Sequence, residues 1–197
     1  MKRTLLTLLL TLMSGASLVY AQSDSLAIVN AAWQVTTTAD GLVHKQAQIK
    51  NLYGSVQSIN LIEIAPSSKR KIGIASDRSM KRTSIQAAAH GAIAAVNGSF
   101  YDMKEGNSVC FYKIDGEVID YTLDSEFERR VTGAIREKKG RLEIIEWSKP
   151  IEQAYKGKRG TVLASGPLML EDGKQSDWSV CNESFVTTRH PRSAIYT

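Results

Sequence analysis

The chain is poor in the residues on which most short catalytic signatures depend. It has two cysteines, three histidines and four prolines among 197 residues. His44, His90 and His190 show no metal-ligand spacing, which argues against a zinc enzyme. The same scarcity weakens a Ser-His-Asp arrangement, although Ser99 or Ser165 with His90 or His190 stays open. No G-x-G-x-x-G, P-loop, H-E-x-x-H, C-x-x-C or G-x-S-x-G occurs, so no cofactor and no metal is expected. No basic stripe carries interleaved aromatics, and nucleic acid is not an expected partner. With only Cys110 and Cys181, a single disulfide in an oxidising compartment and two buried thiols are equally open readings.

Beyond the N-terminus there is also no apolar stretch long enough to span a bilayer core, which takes about 20 residues, so no transmembrane segment is expected. The N-terminus itself has three zones. Lys2 and Arg3 give a positive start, residues 5–13 are apolar apart from two threonines, and small residues lead to Val19-Tyr20-Ala21, an A-x-A-like site. This order predicts a secretory signal over residues 1–21, cleaved after Ala21, and a secreted or periplasmic protein. Its removal takes Lys2 and Arg3 and no acid, so the formal charge falls from +5 to +3. The remaining basic residues lie among acids, with small clusters at Lys69-Arg70-Lys71 and at Lys156, Lys158 and Arg159. Solvated turns explain such clusters more readily than a phosphate-binding patch does. Residues 22–197 are one domain's length, enough to bury a core.

Short β segments with turn punctuation prevail in that domain. Residues 31–38 and 42–49 flank Asp40-Gly41, and 56–65 is strongly apolar, as a well-buried strand would be. A shorter extended piece covers 72–75. Residues 83–90 predict a helix, with Thr83 or Ser84 as N-cap, an alanine-rich body and Gly91 as the stop. An apolar strand over 92–96 is expected to run into Asn97-Gly98. Two hairpins follow: 109–114 with 117–121 around Asp115-Gly116, and 131–136 with 141–147 around Lys-Lys-Gly. A helical turn at 151–156 and a buried strand at 162–164 come next, and 168–170 breaks at Glu171-Asp172-Gly173-Lys174. The fold class is α+β, with mainly antiparallel twisted sheets and few helices.

Three segments carry more than local structure requires. The first is Asn97-Gly98-Ser99-Phe100-Tyr101-Asp102. Asn-Gly by itself is a turn, but here it brings a hydroxyl, two aromatics and a carboxylate to the end of a predicted strand, where ligand sites collect. The second is Ser165-Gly166-Pro167-Leu168, whose plain reading is a strand edge or bulge. The third is Arg189-His190-Pro191-Arg192-Ser193-Ala194, in which two arginines flank a proline bend. That suits a planar, two-pronged hold on an anion, or equally a surface turn with solvated arginines.

In this order and spacing the three segments resemble the phosphodiester glycosidase family, whose members include the uncovering enzyme of lysosomal sorting and exported bacterial relatives. Its members typically read Asn-Gly-Gly-Phe-Phe-Asp, then Ser-Gly-Pro-x-Leu, then Arg/His-x-Pro-Arg-Thr/Ser-Ala. Residues 110–118 look like the hairpin that follows the first motif, and the resemblance runs over roughly residues 56–197. Ser99 stands where a second glycine is usual, and Tyr196 where a glycine often follows the third motif. Relatives continue with strands, a helix and an Asp-Gly-Gly-Gly-Ser motif, whereas this sequence ends at Thr197, five residues after Arg192. The expectation is therefore a C-terminally truncated domain, poorly soluble or loosely packed, with the activity assigned to the full domain and left open for this chain.

The resemblance implies hydrolysis of a sugar 1-phosphodiester, of the N-acetylglucosamine 1-phosphodiester type, with the sugar phosphodiester or a phosphorylated glycan as partner. At the anomeric centre a carboxylate stabilises or attacks oxocarbenium character, or activates water. Asp102 is the best carboxylate in the motif set, and His190 is a candidate proton carrier. Arg192, Arg189 and backbone N–H groups near Gly98 and Gly166 would hold the phosphate. Asn97 would bond the sugar, with Phe100 or Tyr101 on its face; Ser99 and Ser165 complete the candidate binding residues. The alternative class is a non-catalytic envelope glycan-binding module using the same pocket.

Overall fold

A computed structural model describes residues 23–38, 41–76, 79–157 and 160–197. The signal segment expected over 1–21, Asp40 of the first turn, and Lys158 and Arg159 of the second basic cluster lie outside the described residues. The chain divides into two compact units that meet in sequence at Arg70 and Lys71.

In the first unit, residues 23–29 are helical (α1) and three strands follow: β1 (Gln34–Thr37), β2 (Leu42–Leu52) and β3 (Ser55–Ile64). They form an antiparallel sheet in the order β1-β2-β3. Tyr53 and Gly54, both at positive φ, close the β2–β3 turn. The Tyr53 N–H donates to Asp24 Oδ1 at 3.1 Å, which ties that turn to α1. The well-buried strand expected over 56–65 is instead half-exposed. Burial alternates along β3, and Val56 and Ile62 face outward. An apolar run alone does not distinguish a two-sided from a one-sided strand.

The second unit carries the motifs. Helix α2 (Thr83–Ala89) ends at a left-handed Gly91, as expected, but Arg82 and not Thr83 or Ser84 occupies its N-cap, without a side-chain cap bond. The strand expected over 92–96 does not form. Residues 92–98 are irregular, Ile93 and Val96 are exposed, and no strand among the described residues pairs with them. Apolar character cannot make a strand without a neighbour for its backbone groups.

Then come β4 (Tyr112–Ile114), β5 (Glu117–Asp120), α3 (Asp124–Phe127), β6 (Gly133–Lys138), β7 (Arg141–Glu146), α4 (Lys149–Ala154) and β8 (Thr161–Ser165). A short hairpin, β9 (Leu170–Glu171) with β10 (Lys174–Gln175), precedes α5 (Glu183–Thr187). Five strands make one antiparallel sheet in the order β5-β4-β8-β6-β7. Both predicted hairpins turn on two residues at positive φ: Asp115 (47°) with Gly116 (101°), and Lys139 (57°) with Gly140 (78°). These are the left-handed pairs that a right-twisted hairpin needs.

β8 is central, and its Val162 and Ala164 are fully buried. Around them pack Val109, Cys110, Phe111, Val131, Ala134 and Trp147. Cys110 and Cys181 are both buried and unbridged, so the structure takes the thiol reading. Burial pushes the Cys110 thiol up from its ordinary value. One carboxylate is built into the core. Glu152 accepts from the Thr122 N–H (3.0 Å), the Thr122 hydroxyl (2.6 Å) and Trp147 Nε1 (2.9 Å). The α+β, mainly antiparallel reading holds, and no helix among the described residues is long and apolar enough to cross a membrane.

Candidate functional site

The antiparallel order brings the three motif loops to one end of the five-stranded sheet. β8 delivers Ser165 opposite Gly133, the first residue of β6, so the second motif leaves the sheet where β6 begins. The first motif lies against it. Ser99 Oγ donates to the Ala164 carbonyl at 2.6 Å, and Ser165 Oγ donates to the Gly98 carbonyl at 3.4 Å. The third motif closes on the first through Ser193 Oγ, which donates to Asn97 Oδ1 at 2.7 Å across 96 residues of sequence.

Each loop has its own internal support. Asp102 Oδ1 accepts from the N–H groups of Lys104 (2.7 Å) and Glu105 (3.0 Å), and its carbonyl accepts from the Gly106 N–H. This is an aspartate-capped turn. The Glu105 and Lys104 N–H groups hold its carboxyl below the usual carboxylate range, so it is ionised at neutral pH. Oδ2 makes no hydrogen bond among the described residues. In the second loop, Gly166 is fixed by contact: a Cβ there would lie 1.9 Å from the Arg130 carbonyl oxygen. In the third, Arg192 Nη2 donates to the carbonyls of Phe185 (2.8 Å) and Thr188 (3.1 Å), capping the last turn of α5.

Phe100 is not free to serve a ligand. Its ring meets Phe185 edge to face at 5.9 Å, and Arg130 Cζ lies 3.6 Å from its centroid. Arg192 rests on the Phe185 ring at 4.5 Å. Tyr101 is 54% exposed and forms an isolated antiparallel bridge with Ser108. Arg189 and His190 are exposed and are not drawn into the network that joins Asn97, Ser99, Ser165 and Ser193.

Arg130 and Phe185 were not legible as site residues. The one sequence signal was Glu126 four residues before Arg130, a helical salt-bridge spacing. The pair forms at 2.6 Å. Two open grooves, of about 810 and 590 Å³, lie at the other end of the sheet around Asp115, Glu137 and Lys139. No motif residue lines either. Among the described residues no group of three or more His, Cys, Asp or Glu side chains is placed to hold a metal ion.

Comparison with known proteins adds one finding. A family model described as phosphodiester glycosidase matches residues 90–196, more than half of the chain and all three loops. No curated protein and no solved structure matches.

Proposed function

The chain belongs to the phosphodiester glycosidase family, and from that premise we propose that it is an exported enzyme that hydrolyses sugar 1-phosphodiesters, of the N-acetylglucosamine 1-phosphodiester type, on a glycan or envelope polymer. The observation that carries this reading is the convergence of the three motifs through Ser193–Asn97 and Ser99–Ala164.

Asp102 supplies the carboxylate. Its ionised state suits a group that stabilises or attacks the anomeric centre, or activates water there, and its Oδ2 is left for that work. A phosphate monoester leaves well without much protonation, so the enzyme's main task toward it is to hold it. Arg189, the remaining donors of Arg192 and the backbone near Gly98 do this. Because Phe100 is occupied by Arg130 and Phe185, Tyr101 is the aromatic that packs on the sugar. His190, exposed on the third loop, carries the proton. The signal over residues 1–21 takes the protein out of the cytoplasm.

The test is release of free sugar from an N-acetylglucosamine 1-phosphodiester or a chromogenic analogue. Asp102→Asn keeps an amide oxygen for the Lys104 and Glu105 N–H groups, so the turn survives while the charge is lost. Turnover should fall at least about 100-fold, the low end for a positioned catalytic carboxylate. Arg192→Lys should mainly raise KM. Near wild-type turnover in Asp102→Asn would make Asp102 a turn residue only. Binding without release would favour the glycan-binding module.

A further inference from the structure

We propose that Arg130 is a positioning residue for this site: a guanidinium that sets the first and third loops against each other, an inference that rests on the function proposed above. Arg130 follows α3 and belongs to none of the three motifs, yet it touches each of them directly or through one neighbour. Its guanidinium carbon stands over the ring of the first motif's Phe100, 3.6 Å from the centroid. Its carbonyl oxygen occupies the space that any side chain at Gly166 would need. Its Cζ also stands 5.5 Å from the Phe185 ring, the ring that carries Arg192 of the third motif. Phe100, Arg130, Phe185 and Arg192 thus form one cluster of two rings and two guanidinium groups.

The pairing with Glu126 keeps this cluster in place. Arg130 Nε donates to Glu126 Oε2 at 2.6 Å, with the Glu126 side chain only 6% exposed and that of Arg130 18%. Only arginine can do this. Its planar group offers an edge to a carboxylate and a face to an aromatic ring at once, whereas a lysine ammonium presents a point charge. Nearby, the Asn182 N–H donates to the Arg129 carbonyl at 2.8 Å, so the backbone beside Arg130 also anchors the start of α5. Loss of the guanidinium–ring contact would leave the ion pair and free Phe185, and with it Arg192, to move relative to Asn97 and Asp102.

Arg130→Lys keeps the charge opposite Glu126 and removes the planar face. Two readouts test the proposal. Amide hydrogen exchange on the protein without substrate should become at least about fivefold faster over residues 185–192 and stay unchanged in β6 and β8. With the phosphodiester substrate, KM should rise at least about fivefold and kcat change less than twofold. A residue needed only for stability would lower the active fraction, and so apparent kcat, and leave KM alone. Unchanged exchange over 185–192, or a loss confined to kcat, overturns the proposal. If the wild type releases no sugar but exchange responds as expected, the positioning of the loops stands and the proposed reaction falls.

Discussion

Glu152→Gln should be among the most damaging single-atom changes in the protein. The residue is 9% exposed and its carboxylate is surrounded by donors. Oε2 accepts from the Thr122 hydroxyl and Trp147 Nε1, and Oε1 accepts from the Thr122 N–H. Thr122 Oγ1 is already an acceptor for the Phe111 N–H at 2.8 Å, so its own proton is committed to Glu152. A glutamine has one oxygen and one NH2 group. With its oxygen at the Oε2 position, the NH2 faces the Thr122 N–H; turned over, it faces the indole N–H. Either orientation sets two donors against each other in the core. Losing one or two bonds to a carboxylate and stranding a buried donor costs about 2–4 kcal/mol. At roughly 2–4 °C per kcal/mol, that lowers the melting temperature by roughly 5–15 °C. Urea unfolding followed by the fluorescence of the buried Trp147 measures it directly, provided the slope with denaturant is unchanged. A loss below about 0.5 kcal/mol would refute the donor accounting, since the ordinary error of such estimates is smaller than the effect claimed.

Gly166→Ala should cost about 3 kcal/mol, the upper end for an overpacked site, because the new Cβ meets the Arg130 carbonyl oxygen at 1.9 Å and Thr132 N at 3.0 Å, and backbone cannot swing aside. Gly98→Ala meets only the rotatable Leu163 Cδ2 at 2.7 Å and should cost under about 1 kcal/mol; equal melting temperatures for the two variants would contradict this contrast. At alkaline pH, Tyr112 should weaken the fold. Burial raises its pKa from the ordinary 10.0 to about 12, so the folded state holds the proton more tightly and stability is lost as pH climbs from about 10 toward 12, by up to about 2–3 kcal/mol. Burial lowers the pKa of the neighbouring Lys113, which works in the opposite direction as the pH rises toward its ordinary value. Tyr112→Phe should therefore flatten the alkaline limb of an unfolding-midpoint curve, and an unaltered limb would exclude Tyr112 as its source.

What could be read from the chain alone was what local chemistry decides. Asp115-Gly116 and the glycine of Lys-Lys-Gly marked hairpins because positive φ is demanded by the turn and tolerated by few residues. The alanine-rich stretch before Gly91 was legible as a helix for a similar reason. Errors arose where a tertiary neighbour decides. The apolar residues 92–96 resembled a strand, yet no strand lies beside them among the described residues. Arg82 displaced two better capping residues, so the helix begins without a side-chain cap. In the site, motif order and spacing pointed to loops that do converge. Beyond the Glu126 spacing nothing local marked Arg130, whose value lies in a ring 30 residues earlier, a ring 55 residues later and a glycine packed on its carbonyl. The cysteines were undecidable from spacing, because a bridge depends on where the two Cα atoms come to rest.

Hydrogen-bond accounting divides the motif residues into those that hold the loops and those left to meet a substrate. Ser99, Ser165, Ser193 and Asn97 already spend side-chain atoms on one another or on motif backbone. Arg192 gives one nitrogen to two carbonyls and its face to Phe185. An atom in that state must break a formed contact before it can bind something new, so its net gain from a ligand is small, and Arg192 keeps only its other donors for a ligand. Among the described residues the side chains of Tyr101, Arg189 and His190 and the second oxygen of Asp102 carry no such commitment. On the function proposed above, binding free energy for a phosphorylated sugar would concentrate on one aromatic, guanidinium donors, an imidazole and a carboxylate, set against the ligand's ring face, phosphate, leaving oxygen and anomeric carbon. On the same proposal the loop-holding residues would act on the reaction at one remove, by fixing how far apart those groups stand.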